Sequence, residues 1–109
     1  MSETFNVVLT ETAERDILEL TEYITDNDSI ESAEYVLEKL ESACLSLGIE
    51  PNRGRRVPEL ARIGVTTFRQ IYFKSYRIIY QTLDKKVLVM SVVDGRRDLT
   101  DLLTMKLLR

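Results

Sequence analysis

Arginine is the residue type through which this chain has most scope for chemistry. Ten arginines occur. Arg77, Arg96 and Arg97 lie in or beside strand-like segments, where a rigid scaffold could aim their forked donors at phosphates or carboxylates. Arg77 has a structural alternative, in which it pairs with Asp94, Asp98 or a backbone carbonyl. The pattern indicates anion recognition and leaves both roles open for Arg77.

Other common kinds of catalytic site are excluded by composition. The chain has no histidine, so neither a Ser-His-Asp nor a Cys-His arrangement can form. Cys44 is the single cysteine; it lies in an apolar helical stretch, which favours a buried structural thiol over a reactive one. The four glycines are too widely separated to form a phosphate-binding loop, and the acidic helices suit a solvated surface better than a magnesium site. We therefore expect no metal and no cofactor.

Tyrosines offer a second way to bind nucleic acid. Tyr72 and Tyr76 stand near arginines and could stack on bases. A tyrosine on a half-buried strand usually packs in the core, so packing is the favoured role for Tyr76 and Tyr80. Both roles stay open for Tyr72.

The charge is distributed unevenly along the chain. Residues 1–50 contain two Lys/Arg and thirteen Asp/Glu, whereas residues 51–109 contain thirteen Lys/Arg and five Asp/Glu. The net charges of the two parts are thus −11 and +8. The basic half could present its surface to nucleic acid or to an acidic protein segment, or the two halves could simply attract each other.

The first elements that must position these residues are a strand and two helices. Residues 5–10 alternate as a strand does. Apolar residues then recur at helical spacing, until residues 26–29 break the helix. Asp28 and Glu31 have the spacing of a capping box for a second helix, which Gly48 ends. The sequence therefore predicts an αα-hairpin after the first strand.

The second half of the chain reads as a loop followed by strands. Turn residues and arginines alternate over 49–64, which predicts an exposed basic loop. Three strands follow at 67–74, 75–83 and 87–93, and their short connections favour an antiparallel meander. The last of these is apolar on both faces, as a flanked central strand would be. Leucines from Leu99 onward predict a short terminal helix with Thr100 as its cap.

These elements predict an α+β fold: an N-terminal strand and an αα-hairpin packed on a small, mainly antiparallel sheet, with a short C-terminal helix. We expect one domain over residues 1–109. The apolar runs are far shorter than the roughly 20 residues that span a bilayer, and the acidic N-terminus does not resemble a secretory leader. The expected location is the cytoplasm, away from membranes.

The order of elements, together with three phrases, resembles the RelE/ParE toxin superfamily over nearly the whole chain. The phrases are Phe68-Arg69-Gln70-Ile71, Tyr76-Arg77-Ile78-Ile79-Tyr80 and Val93-Asp94-Gly95-Arg96-Arg97-Asp98-Leu99. Within the superfamily the chain looks most like the ParE branch, the toxins of type II toxin–antitoxin modules that act in plasmid stabilization.

The superfamily has two biochemical classes, and the resemblance implies a different site for each. RelE-like members cleave messenger RNA in the ribosome, using basic residues on the strands and a tyrosine, histidine or glutamate near the C-terminus for proton transfer. By similarity, Arg77 and Arg97 occupy the two arginine positions, but the proton-transfer position falls near Leu103. ParE-like members inhibit DNA gyrase by binding and need no catalytic group. The resemblance therefore favours a non-enzymatic gyrase inhibitor over a ribosome-dependent endoribonuclease or a degenerate, non-toxic partner-binding member.

The resemblance also implies partners and contact residues. A cognate, ParD-like antitoxin would silence the toxin in a hetero-oligomer by adding a helix or strand to the groove between hairpin and sheet. DNA would be met indirectly, through gyrase. The candidate target-binding residues are Arg69, Arg77, Arg96 and Arg97.

Overall fold

A computed structural model describes residues 4–96 and 98–108. Five strands form one sheet in the order β1-β5-β4-β3-β2. The strands are β1 (Asn6–Leu9), β2 (Arg55–Arg56), β3 (Arg69–Phe73), β4 (Tyr76–Leu83) and β5 (Lys86–Asp94). The helices are α1 (Glu11–Asn27), α2 (Ile30–Ser46), α3 (Pro58–Ala61) and α4 (Thr100–Leu107). The predicted α+β fold is confirmed.

The three long strands form the predicted antiparallel meander, and β1 joins β5 in parallel. Asp84 and Lys85 connect β4 to β5 with positive φ angles of 50° and 61°. Two successive residues in this conformation make the tight turn whose twist matches that of the flanking strands. With β1 on one side and β4 on the other, β5 is flanked as its apolar pattern predicted.

The αα-hairpin is capped by hydroxyl groups at both helix starts. Thr10 accepts a hydrogen bond from the Ala13 N–H, and Ser29 accepts one from the Ser32 N–H. The predicted capping box of Asp28 and Glu31 is wrong by one residue, because Asp28 instead ends α1 by donating its N–H to the Ile24 carbonyl. A serine suits the N-cap because its side-chain oxygen reaches the free N–H groups of the first turn.

The hairpin covers one face of the sheet and closes the larger apolar core. Leu40 and Cys44 of α2 and Ala13 and Ile17 of α1 pack on the sheet residues of this face. Those sheet residues are Ile71, Ile78, Tyr80, Val87, Val89 and Val92. The helical spacing read from the sequence therefore identified the side of each helix that faces the core.

The opposite face of the sheet is covered by α3 and α4. Val57 and Leu60 pack there with Phe68, Ile79 and other residues in a second apolar cluster. The prediction of an exposed loop over 49–64 is therefore wrong in part: this segment contains β2 and α3, and Val57 and Leu60 are buried, although Ile49 and Ile63 are exposed. Because these residues are isolated among arginines and turn residues, no periodic pattern revealed them.

The predicted cap of α4 also needs correction. Leu99 occupies the N-cap position and makes no side-chain capping bond. Asp98 performs this role from one residue earlier, because its Oδ1 accepts hydrogen bonds from the N–H and the hydroxyl of Thr100. These bonds lower the pKa of Asp98, with Arg62 adding a smaller contribution.

Candidate functional site

Arg77 is buried on the face of the sheet that α3 covers, with 6% of its surface exposed. Its Nη1 donates to Glu59 Oε1 at 2.6 Å, and its Nε and Nη2 donate to the Gly95 carbonyl at 3.3 and 3.1 Å. The backbone carbonyl was one of the structural partners considered for Arg77. Its carboxylate partner is Glu59, which sequence reasoning missed.

Glu59 reaches Arg77 because α3 begins with Pro58, whose fixed φ suits the first helical turn. The carboxylate is 2% exposed, and its Oε2 accepts the Leu99 N–H at 3.1 Å. Burial alone would raise the pKa of Glu59, but hydrogen bonds from Arg77 and Leu99 outweigh it, so the pKa lies below its ordinary value of 4.5. One carboxylate thus joins α3, β4 and the start of α4.

Gly95 is required where it stands. A Cβ at this position would lie 2.2 Å from Arg77 Cγ. The glycine therefore lets the backbone approach closely enough for its carbonyl to accept from the guanidinium.

Arg96 points into solvent at the same end of the sheet. Its Nη2 and Nε donate to the Asp94 carboxylate at 2.6 and 3.0 Å, and this hydrogen bonding raises the pKa of Arg96. An exposed pair of this kind is weak and exchanges readily with other anions. Arg97 lies outside the described residues.

Arg69 lies at the other end of β3, apart from Arg96. Arg69 is paired with Tyr80 of β4, whereas Asp94, the partner of Arg96, is paired with Tyr76 of the same strand. Tyr76 and Tyr80 are four residues apart. Four residues of strand correspond to about 13 Å. The fold therefore places Arg77 and Arg96 near one strand end and Arg69 at a separate position.

Arg69 lies beside three arginines that the sequence placed in a loop. We call this group the edge arginine cluster; its members are Arg53, Arg55, Arg56 and Arg69. Arg69 is half-buried and donates to the Gly54 carbonyl at 2.7 Å, whereas the other three are exposed. The sequence did not predict the strand β2, because two residues are too few to show the alternation of a strand.

Tyr80 holds the chain segment that carries this cluster. Its hydroxyl donates to the Pro51 carbonyl at 2.8 Å and accepts the Gly54 N–H at 2.9 Å. Burial raises the pKa of Tyr80 even though the Gly54 N–H and nearby arginines lower it. The predicted packing role of Tyr80 is confirmed, while Tyr72 is 54% exposed.

Asp16 is a second paired carboxylate that sequence reasoning missed; it is partly buried but read as part of a solvated helix face. Its Oδ2 accepts from Ser91 Oγ at 2.6 Å and from the Val92 N–H at 3.0 Å, and its Oδ1 lies 2.6 Å from Lys106 Nζ. The β4–β5 register shifts between Ile79 and Tyr80, opposite Ser91 and Val89. Asp16 therefore fixes this irregular part of β5 and ties α4 to α1.

A groove separates the helical hairpin from the β3–β4 turn. We call it the hairpin–sheet groove; its volume is about 450 Å³. Val36 and Tyr76 contribute apolar surface, Glu31 contributes acidic surface, and Lys74 stands near the Tyr35 ring at 5.3 Å from its centroid. A groove of mixed polarity at this position could accept a peptide segment.

Cys44 faces a smaller cavity between the two helices and is buried, as predicted. Burial raises the pKa of its thiol to about 11, with a further increase from Glu41. Among residues 4–96 and 98–108, no group of three or more potential ligands could hold a metal ion. None of the described helices is long and apolar enough to cross a membrane.

Comparison with known proteins gives the family of this fold and site. A family model described as the ParE toxin of the type II toxin–antitoxin system parDE matches residues 7–99. The chain therefore belongs to the ParE toxin family. The predicted resemblance to the RelE/ParE superfamily, ParE branch, is confirmed, and no curated protein matches significantly.

Two solved structures share the fold. The chromosomal ParDE toxin–antitoxin system from P. aeruginosa is 14% identical, with a TM-score of 0.71, and the match covers 85% of this chain and 98% of that chain. The RelBE2 toxin–antitoxin complex from Mycobacterium tuberculosis is 20% identical, with a TM-score of 0.65, and covers 86% of this chain and 94% of that chain.

Proposed function

We propose that this ParE-type toxin inhibits DNA gyrase by binding it, without catalysing a reaction. The observation that carries the proposal is the environment of Leu103, which stands near the proton-transfer position of the RNA-cleaving branch. Leu103 is 0% exposed and packs in the apolar cluster under α4. An RNA substrate could not reach this position, and a leucine has no proton to transfer.

The state of Arg77 supports the same proposal. In the nuclease pattern this arginine would stabilise the scissile phosphate, but here its guanidinium is already bound to Glu59 and Gly95. Freeing it would leave the Glu59 carboxylate buried without its partner, which costs several kcal/mol. Arg77 therefore acts on a target mainly by supporting the strand end that presents Arg96.

We assign direct target contacts to Arg96, Arg97 and Arg69. Arg96 can exchange Asp94 for a carboxylate of the target, and Arg97 follows it in the chain. Arg69, another of the predicted target-binding residues, contacts the target at the other end of β3. The proposed setting is the cytoplasm, where gyrase acts on DNA.

We further propose that a cognate antitoxin silences the toxin through the hairpin–sheet groove. Apolar side chains line its interior, while Glu31 and Lys74 on opposite sides could fix the direction of a bound segment. The two fold relatives come from toxin–antitoxin systems, which supports an antitoxin partner. A small antitoxin gene adjacent to this one, whose product co-purifies with the chain as a hetero-oligomer, is the expected finding.

The gyrase proposal is tested with purified toxin, gyrase and plasmid DNA. We expect lost supercoiling or trapped cleavage, and about tenfold weaker inhibition by Arg96→Ala, because losing an arginine that anchors an interface costs about 1.4 kcal/mol or more. Arg15→Ala, an exposed arginine on α1, is the matched control and should inhibit normally. Unchanged gyrase activity together with cleavage of ribosome-bound messenger RNA would overturn the proposal.

A further inference from the structure

The edge arginine cluster differs from Arg62, Arg77 and Arg96 in having no carboxylate partner among the described residues. Arg62, Arg77 and Arg96 each have a carboxylate oxygen within 2.8 Å. In the described ranges, no ion pair within 4.0 Å involves any member of the cluster. Four positive charges are therefore concentrated at one sheet edge without internal neutralisation.

The register of the sheet places two of these charges directly opposite each other. Arg56 on β2 is paired with Arg69 on β3. Directly opposed side chains on antiparallel strands have Cβ atoms about 5 Å apart, and like charges in this arrangement are destabilising. An anion that bridges the two guanidinium groups would remove this repulsion.

Two members of the cluster are positioned by hydrogen bonds to uncharged groups, which do not neutralise their positive charge. Arg69 donates to the Gly54 carbonyl, and Arg53 donates to Ser46 Oγ at 2.6 Å. A Cβ on Gly54 would lie 2.6 Å from the Tyr80 hydroxyl, so the turn is tightly fitted to the core. The arginines therefore stand on a rigid support, as a preformed anion site requires.

The surroundings of the cluster decide between kinds of anionic partner. Segment 50–62, described throughout, has no exposed large apolar side chain; Ile49 and Ile63 are exposed just beyond its two ends, and Tyr72 is exposed on β3. A protein partner would need an apolar interface centre rather than an apolar rim, and single-stranded nucleic acid would need a row of exposed rings on which successive bases stack. Duplex phosphates need neither, since arginines bind them through the backbone alone.

We propose that the edge arginine cluster binds the phosphate backbone of duplex DNA directly and without sequence preference. The acidic helical hairpin is repelled by the duplex, so the sheet edge formed by β2 turns towards it. This contact goes beyond gyrase binding and rests on separate observations. It would hold the toxin on the DNA on which gyrase works.

Fluorescence anisotropy of a labelled 20-base-pair duplex, with no gyrase present, tests the proposal between 25 and 150 mM KCl. Each neutralised phosphate contributes a slope of about −0.9 to log K against log salt concentration, so four contacts give about −3.6. Arg55→Gln combined with Arg56→Gln should reduce the slope by about 1.8 and weaken binding. Both side chains are exposed, so the fold should be retained, and the loss of repulsion between Arg56 and Arg69 should leave the urea midpoint unchanged or slightly raised.

A charge-matched control separates a local site from net charge. Arg15→Gln combined with Lys86→Gln also removes two exposed positive charges, from α1 and the start of β5. This variant should bind the duplex like the wild type. Equal weakening in both double variants, absence of wild-type binding, or tighter binding of poly-glutamate or single-stranded DNA than of duplex would each overturn the proposal. Because the anisotropy assay contains no gyrase, its result does not depend on the outcome of the gyrase assay.

Discussion

The guanidinium of Arg77 and the carboxylate of Glu59 lie 2.6 Å apart in the interior, joining β4 to the short helix α3. Burial favours neither ion, but each makes additional hydrogen bonds: Arg77 donates to the Gly95 carbonyl, and Glu59 accepts from the Leu99 N–H. The pair consequently raises the pKa of Arg77, although burial alone would lower it. This arrangement makes one arginine of the family phrase part of the scaffold.

Replacing Arg77 by alanine should destabilise the fold strongly. The change leaves Glu59 charged, buried and without its partner, which typically costs about 3–5 kcal/mol. Urea unfolding of the purified variant measures the loss. The double variant Arg77→Met, Glu59→Leu should recover part of it, because no buried charge is then left unpaired, although the Leu99 N–H and the Gly95 carbonyl lose their partners. An Arg77→Ala variant as stable as the wild type would contradict the role.

The pH dependence of stability should carry the signature of Glu59. Because its folded pKa lies below 4.5, the ion pair stabilises the protein above that pH, and the contribution is lost as the pH falls through the folded value. The difference in unfolding free energy between wild type and Glu59→Gln should therefore shrink below about pH 4. Urea titrations from pH 3 to 7 measure this difference, and Glu38→Gln, an exposed change on α2, should show little effect.

Tyr80→Phe should loosen the turn that carries the edge arginine cluster. Removing the hydroxyl leaves the Pro51 carbonyl and the Gly54 N–H without their partner, at a cost of about 1–3 kcal/mol. Amide hydrogen exchange should accelerate at Gly54 in this variant. Tyr72→Phe, which changes an exposed hydroxyl, is the matched control; equal exchange in both variants would contradict the prediction.

Asp16→Ala should weaken the attachment of α4. The change removes the acceptor of Ser91 and Val92 and the partner of Lys106, with an expected loss of about 1–3 kcal/mol. Thermal unfolding measures the loss, and Glu19→Ala, exposed on the same helix, should be close to neutral. Equal effects of the two changes would mean that Asp16 contributes only its charge.

Cys44 should resist thiol reagents in the folded protein. With a pKa of about 11, its thiolate is scarce at pH 8, so labelling should be at least roughly 100-fold slower than in denaturant. Colorimetric thiol labelling with and without guanidinium measures the ratio, and Cys44→Ser gives the background. Rapid labelling under native conditions would show that the space around this residue opens.

The sequence predicted those parts of the fold that repeat a period. The three-and-four spacing of α2 reflects burial on one side of the helix. The alternation of β4 reflects the two different surroundings of its faces, one under the hairpin and one under α3 and α4. By contrast, α3 has four residues and β2 two, so neither repeats its period. Their positions depend on Val57 and Leu60 finding the second apolar cluster, which is a tertiary effect.

The candidate site was predictable to the extent that it is exposed and basic. Arg96 and Arg69 were found from residue type and family phrase. Glu59 and Asp16 were not found, because the role of each carboxylate depends on a partner that is distant in sequence. Arg77 is 18 residues from Glu59, and Lys106 is 90 residues from Asp16. No local pattern records such pairings.

The parallel pairing of β1 with β5 bears on how the protein is made. Asn6 pairs with Lys86, so β1 can pair with β5 only after another 80 residues have been synthesised. At about 5–20 residues per second, a ribosome needs several seconds to supply them. During that time the residues of the helical hairpin have been made but the strands that cover their apolar side have not, and closing so long a loop slows folding. Synthesis itself thus delays the appearance of a finished toxin, leaving an interval in which only an unfinished, inactive chain is present.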